Sequence, residues 1–221
     1  MPGKIFPGNF SIGWTMTESL KGINYSVRVS ARARRVTLRI APPEGLVVVI
    51  PRNFSKKRIP SLIDEKRQWI EKTLSKVAPQ AVTASGTLPP KEYFFPSLKK
   101  SLGLEGPNAV SRLRSIADSH LLPRARVLSL KTGLRPASFT FRNQKRIWGS
   151  CNSKRKISLN QKLLFLEPPL VDYIILHELC HLEYRDHSSS FWTFLSSFDP
   201  HFRDHRREIR SAQWTIPVWA Y

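Results

Sequence analysis

Polar and apolar residues alternate through RRVTLRI, residues 34–40, where Val36, Leu38 and Ile40 interleave with Arg35, Thr37 and Arg39. Period two marks a strand with one buried and one open face, and here the open face carries arginine. YSVRV (25–29) and GLVVVI (45–50) read as neighbouring strands, and Pro42, Pro43 and Gly45 supply the turn before the last of them. A small antiparallel sheet is the expectation. The period then changes. Ile59, Leu62, Ile63, Trp69, Ile70 and Leu74 recur at helical spacing, so one helix capped by Ser55 is expected to reach about Val77, with Pro60 near its start.

Residues 1–20 read as an N-terminal arm and residues 21–77 as a sheet-and-helix subdomain. Residues 78–107, rich in Pro, Ser, Thr and Gly and without a steady period, read as a linker. A helix is expected over 108–132, stopped by Gly133 and kinked or split at Pro123. Strand signals follow at ASFTFR (137–142) and KISLN (156–160), with IWGSC between them. A further helix starts near Pro168 and carries LVDYIILHELCHLEYR; Ser188 can cap another, and a last one runs from about Pro200 to Gln213. The class is therefore α+β, with a second domain over 108–221.

That second domain contains the candidate chemistry. His177, Glu178 and His181 form H-E-x-x-H inside an apolar helical run. Residues four apart share a helix face, so two imidazoles can aim at one zinc ion while Glu178 reaches a water beside it. Zinc would acidify that water, and Glu178 would take its proton and hand it to the leaving group. A catalytic zinc keeps three protein ligands and one open position. His187 is the nearest third ligand, and Glu208 a weaker one. Six residues of continuous helix would turn His187 off the ligand face, so the helix must end or turn near Tyr184–Asp186. His201 and His205 share the same i, i+4 spacing and make either a rival site, a transition-state donor or a solvated face beside Arg203, Arg206 and Arg207. Cys180 reads as a small buried hydrophobe rather than a ligand. Tyr184, Arg185, His201 and His205 are alternative stabilisers of a transition state.

Charge separates this segment from the rest. The formal net charge is +20. Residues 1–176 carry 31 Lys and Arg against 10 Asp and Glu, whereas residues 177–221 carry 5 against 6. A basic excess of this kind attracts nucleic acid, nucleotides, anionic lipid or acidic proteins, and Arg32, Arg34, Arg35 and Arg39 are the candidate contacts. Apolar runs such as Leu46–Ile50 are too short to span a bilayer. With two cysteines and no apolar leader, a cytoplasmic location is expected.

The run WGSC (148–151), ISLN (157–160), DYIILHELCHL (172–182), His187 and Phe191-Trp192 resembles the YgjP-like metal-dependent hydrolases, predicted zinc metallopeptidases similar to SprT-like proteases. The resemblance implies a zincin-like core, with an active-site helix on a small sheet. It implies His177, His181 and His187 as zinc ligands and Glu178 as the acid/base. It also implies a place near the site for the Trp148–Cys151 turn.

The substrate stays open between classes. A peptide could add to the edge strand around Lys156–Asn160, a nucleotide could sit on the arginine strand, or the zinc could be structural in a nucleic-acid-binding protein. Trp148, Asn160 and Arg35 are the candidate substrate contacts. Oligomeric state is not legible.

Overall fold

The computed structural model describes residues 14–41, 45–82, 89–104 and 108–221, and the side chains of 18–40, 45–75, 89–104 and 108–221. The chain divides into two compact units, Met1–Ala78 and Pro79–Tyr221.

The first unit is a four-stranded sheet backed by helix. β1 (Trp14–Leu20), β2 (Ile23–Ser30), β3 (Thr37–Ala41) and β4 (Gly45–Pro51) stand in the order β1-β2-β4-β3. The sheet is mixed rather than wholly antiparallel, because β2 and β4 pair parallel, Tyr25 opposite Leu46 through Ser30 opposite Pro51. β3 flanks β4 on its far side and closes that edge antiparallel. Periodicity predicted β2, β3 and β4 but carries no information on which strand pairs with which. β1 corrects the expected arm over its last residues; residues 1–13 lie outside the described part, as do Pro42 and Pro43 of the turn.

The expected single helix is divided. α1 (Ile59–Glu65) and α2 (Arg67–Val82) are separated at Lys66, whose φ −100 and ψ 9 leave the helical region. Ile59, Ile63 and Ile70 from these helices pack on Ile23, Tyr25, Val27, Leu46, Val48 and Ile50 of the sheet. Trp69 belongs to the predicted apolar face but is 46% exposed, lying about 100° around the helix from the buried Ile70. Arg32, Arg34 and Arg35 lie exposed in the connection before β3.

The second unit is built on α3 (Ala109–Thr132). Its buried stripe is Ala109, Leu113, Ala117, Leu121, Ala125 and Ser129, one residue every four. Alternating small and large residues let α4 (Pro168–Cys180) approach closely, and nine residues of α4 are buried. Pro123 neither splits nor ends α3, which is continuous around it. The turn containing it is held by Leu121 and Ala125 on the buried side and by Arg124, which grips Asp172 of α4 with two nitrogens, Nη2 at 2.6 Å from Oδ2. Gly133 ends the helix at φ +75, as predicted.

Residues 78–107 are not a free linker. β5 (Glu92–Phe95) and β6 (Lys100–Gly103) form an antiparallel hairpin. Phe95 and Leu104 are fully buried in the same core as α3 and α4, with Phe95 5.5 Å from Phe165 and 5.2 Å from Tyr93. The Pro and Ser signals mark the turn inside this hairpin, Pro96–Leu98, where Ser97 donates to the Leu164 carbonyl at 2.9 Å. Residues 83–88 and 105–107 lie outside the described part.

The second sheet positions the site. β7 (Ser138–Arg142), β8 (Gly149–Cys151) and β9 (Lys156–Asn160) stand in the order β7-β9-β8, β7 parallel and β8 antiparallel to β9. The strand expected at the edge, Lys156–Asn160, is therefore central, and β7 and β8 are the edges. α5 (Ser189–Ser196) and α6 (Phe202–Ala212) complete the unit. No helix among the described residues is long and apolar enough to cross a membrane.

Because Phe95 anchors the hairpin, Phe95→Ala should lower the unfolding free energy by about 3–5 kcal/mol, the usual cost of a buried Phe truncation. Denaturant unfolding measures it, and a loss below about 0.5 kcal/mol would return the segment to linker status.

Candidate metal centre

α4 ends at Cys180, with His181 as its C-cap. Leu182, Glu183 and Tyr184 bond back to Leu179 and Cys180 and close a tight turn. The chain then reverses through Arg185 and Asp186, and the Asp186 carboxylate accepts the Ser188 amide at 3.2 Å. The helix thus stops a turn earlier than the reversal predicted near Tyr184–Asp186. The consequence is the predicted one: His187 returns to the helix, its Nε2 3.0 Å from Nε2 of His177.

Among the described residues, one group of metal-ligating side chains converges. His177, His181 and His187 each offer a ring nitrogen, all within 4.8 Å of one another. The Nδ1 of His181 lies 2.8 Å from the Tyr184 carbonyl. A carbonyl only accepts, so Nδ1 carries the hydrogen and Nε2 keeps a lone pair for a ligand. Phe191, fully buried, packs edge or face against all three rings, at 4.9, 4.6 and 4.9 Å between centroids. Trp192 donates its indole N–H to the His187 carbonyl at 3.0 Å and stacks on that imidazole at 5.4 Å. The resemblance drew attention to Phe191-Trp192; their contact with the histidines emerges only in the folded chain.

The electrostatics suit a cation. Burial, together with the neighbouring His181, His187 and Arg206, holds the His177 imidazole down at about 3, so it stays neutral with its lone pair free. His187 is lowered too, first by burial and then by His181 and Arg206. Glu178 is 6% exposed, and burial pushes its carboxyl up to about 8. Its Oε2 is buried without a hydrogen-bond partner, as is Nδ1 of His177. Four ligands about 2.0–2.1 Å from a tetrahedral zinc stand about 3.4 Å apart. Three convergent imidazoles with one pair at 3.0 Å fit such an ion.

Glu178 faces the edge strand. A Cβ built on Gly149 would lie 2.6 Å from Cγ and 2.7 Å from Oε1 of Glu178, closer than any side chain tolerates. The glycine of WGSC is there because the carboxylate occupies its side-chain space. Gly149, Ser150, Cys151 and Arg185 line the cleft with the three histidines and Glu178, a volume of about 290 Å³. Gly149 was not singled out in the sequence; a lone glycine in a strand is the signal that marks close approach of another group.

The predicted substrate contacts do not join this cleft. Asn160 is 3% exposed, and its amide nitrogen donates to the Gln144 and Ile147 carbonyls at 2.8 Å each while its oxygen accepts the Lys162 amide at 3.1 Å. It pins the loop before β8, as does the buried Lys162, which binds Asn143 and the Gln144 carbonyl. Trp148 packs on the core and is not among the cleft residues. Arg35 belongs to the first unit. His205 is held by the buried Asp199 at 2.8 Å, and with His201 it forms no three-ligand group among the described residues. Glu208 is exposed on α6, and Cys180 is fully buried with its thiol pushed up to about 12, matching the small-hydrophobe reading.

His187→Ala should weaken metal binding at least about tenfold, and His201→Ala should leave it unchanged, measured by zinc titration against a chromophoric chelator. In metal-free protein the raised Glu178 carboxyl favours folding below about pH 4.5 and loses that benefit as pH rises through about 8. Glu178→Gln should therefore gain stability relative to the parent chain between pH 5 and pH 8. A constant difference in thermal midpoint across that range would refute the burial account.

The sequence matches the family model of the YgjP-like metallopeptidase domain over residues 34–105 and 107–212. No curated protein matches the chain. Among solved structures, the metallopeptidase zymogen of Methanocaldococcus jannaschii jannalysin is 19% identical, with a TM-score of 0.35 and a match covering 39% of this chain and 89% of that one. The metallopeptidase zymogen of Pyrococcus abyssi abylysin is 24% identical, with a TM-score of 0.36, covering 49% of this chain and 99% of that one. The family match takes in both the sheet-and-helix unit from Arg34 onward and the whole three-histidine centre, and the chain belongs to the YgjP-like metallopeptidase family.

Proposed function

We propose that this chain is a zinc-dependent peptidase in which His177, His181 and His187 hold the metal and Glu178 is the acid/base. The observation that carries the reading is the cleft itself: three ligand nitrogens within 4.8 Å, with a buried, partnerless carboxylate oxygen beside them. Zinc, when bound, polarises a carbonyl and acidifies a water. Glu178 accepts the water's proton on Oε2 and passes it to the amide nitrogen as the peptide bond breaks. Gly149 leaves the Glu178 carboxylate room against the edge strand, inside the cleft that the three histidines line. Phe191 and Trp192 keep His187 in place after the chain reversal.

A polypeptide substrate is favoured by the edge strand. β8 forms one wall of the cleft and pairs with β9 on its inner side only, so an extended peptide can add to its outer side and lie across the metal. This replaces Lys156–Asn160 as the strand that receives substrate. A nucleoside polyphosphate would call for several cations converging on the reacting phosphate, and of the cleft residues only Arg185 carries a guanidinium. A purely structural zinc would have no use for a carboxylate beside an open coordination position.

Glu178→Gln should keep its zinc and lose hydrolysis of a denatured protein by about 10²–10⁴-fold. Gly149→Ala, which pushes the carboxylate aside, should also keep zinc and lose about a hundredfold. Zinc content and turnover measured on the same samples test both; turnover of nucleoside triphosphates in place of protein would overturn the peptidase reading.

A further inference from the structure

A second depression, of about 710 Å³, lies between α5 and the start of α6, and Trp192 is its wall towards the metal centre. One end of the stack is His187, 5.4 Å from the Trp192 ring and inclined 27°; the other is Phe202, 5.7 Å away and inclined 15°. Two cations lie over these rings. The Arg206 guanidinium is 4.4 Å from the Trp192 centroid, and that of Arg203 is 5.6 Å from Phe202. Ser189 and Thr193 of α5 add hydroxyls on the opposite side.

Neither arginine forms an ion pair among the described residues. Asp199 is committed to His205 and Asp204 to Arg207, and Glu208, two residues after Arg206, does not share its helix face. Arg203 and Arg206 are three apart on one helix and share a face, so they repel each other and gain from an anion between them. Both line the depression. The aromatic floor holds the aliphatic part of a side chain, and the guanidinium forks match a carboxylate. An extended chain advances about 3.4 Å per residue, so a peptide crossing the cleft brings a side chain over Trp192 within about two residues of the reacting carbonyl.

We propose that this groove is a substrate subsite that selects an acidic side chain of the polypeptide, with Arg206 and Arg203 as its specificity-determining residues. The proposal rests on the peptidase reading, which supplies the polypeptide. It accounts for a basic pair kept unpaired in a C-terminal segment that is otherwise close to neutral.

The test uses the zinc-loaded Glu178→Gln chain and three fluorescent peptides, identical except for Glu, Gln or Lys at alternate positions. Anisotropy at physiological salt should show the Glu peptide bound about tenfold tighter than the Gln peptide. Arg206→Glu and Arg203→Glu, each checked for zinc content, should abolish that preference or turn it towards Lys. Arg126→Glu, an equal charge change on the exposed side of α3, should keep it. Equal binding of the Glu and Gln peptides overturns the proposal. So does an equal loss in Arg126→Glu, which would reduce the effect to overall charge. Displacement of the peptide by single-stranded DNA whose own binding vanishes in Arg206→Glu also overturns it, in favour of a nucleic-acid groove. Selective binding of a Glu peptide that the unaltered chain fails to cleave supports the groove and counts against the peptidase reading. Cleavage of all three peptides at equal rates does the reverse.

Discussion

A carboxylate buried without a hydrogen-bond partner is costly, and Glu178 is such a group in the last turn of α4. The rest of the second unit can be understood as what holds it there. α4 is buried along nearly its whole length, α3 lies close against it through alternating Ala and Leu, and Arg124 clamps Asp172 near its start. With the helix so constrained, the base of the Glu178 side chain is held in the core. The surrounding chain relieves the crowding instead, through the missing side chain at Gly149.

The same constraint explains the loop after the helix. Two histidines at i, i+4 supply two ligands, and a third must come from outside the helix because helical rotation carries later residues away. The turn at Leu182–Tyr184 ends the helix as soon as His181 has been placed. Phe191 then provides a common apolar surface for all three rings, so each imidazole is oriented by packing on one side and by a backbone carbonyl or a neighbouring ring on another. A metal site oriented in this way pays little reorganisation when an ion enters. The near-neutral charge of this segment fits that arrangement, since nearby unpaired cations would oppose a dication; Arg185 in the cleft and Arg203 and Arg206 beyond Trp192 stand as exceptions.

Several elements were legible because their cause is local. Gly133 stops α3, Pro168-Pro169 opens α4, and Ser188 opens α5, each through backbone preferences of one or two residues. Cys180 was legible as a buried residue from its place in an apolar helix. Other readings failed because their cause is remote. The Pro- and Ser-rich stretch before residue 107 looks like a linker by composition, yet Phe95 finds Phe165 seventy residues away and turns part of it into core. Pro123 could split a helix, yet α3 runs unbroken past it, with Leu121 and Ala125 buried and Arg124 bound to Asp172. Trp69 fits an apolar stripe by residue type, yet the sheet covers Ile59, Ile63 and Ile70 and leaves it exposed.

The candidate chemistry is therefore legible in the sequence. H-E-x-x-H in an apolar helix sets two imidazoles on one face with a carboxylate beside them through the pitch of the α-helix alone. Everything that turns this motif into a site came from tertiary structure. Folding decided that His187 and not Glu208 approaches the helix, that β8 and not Lys156–Asn160 is an open edge, and that Asn160 braces a loop rather than meeting a substrate. The physical reason is the range of the forces. Helix geometry and capping act over about four residues and leave a periodic trace in the sequence. Strand order, chain reversal and the close approach of Gly149 to Glu178 are set by packing between distant segments, which leaves no period to find.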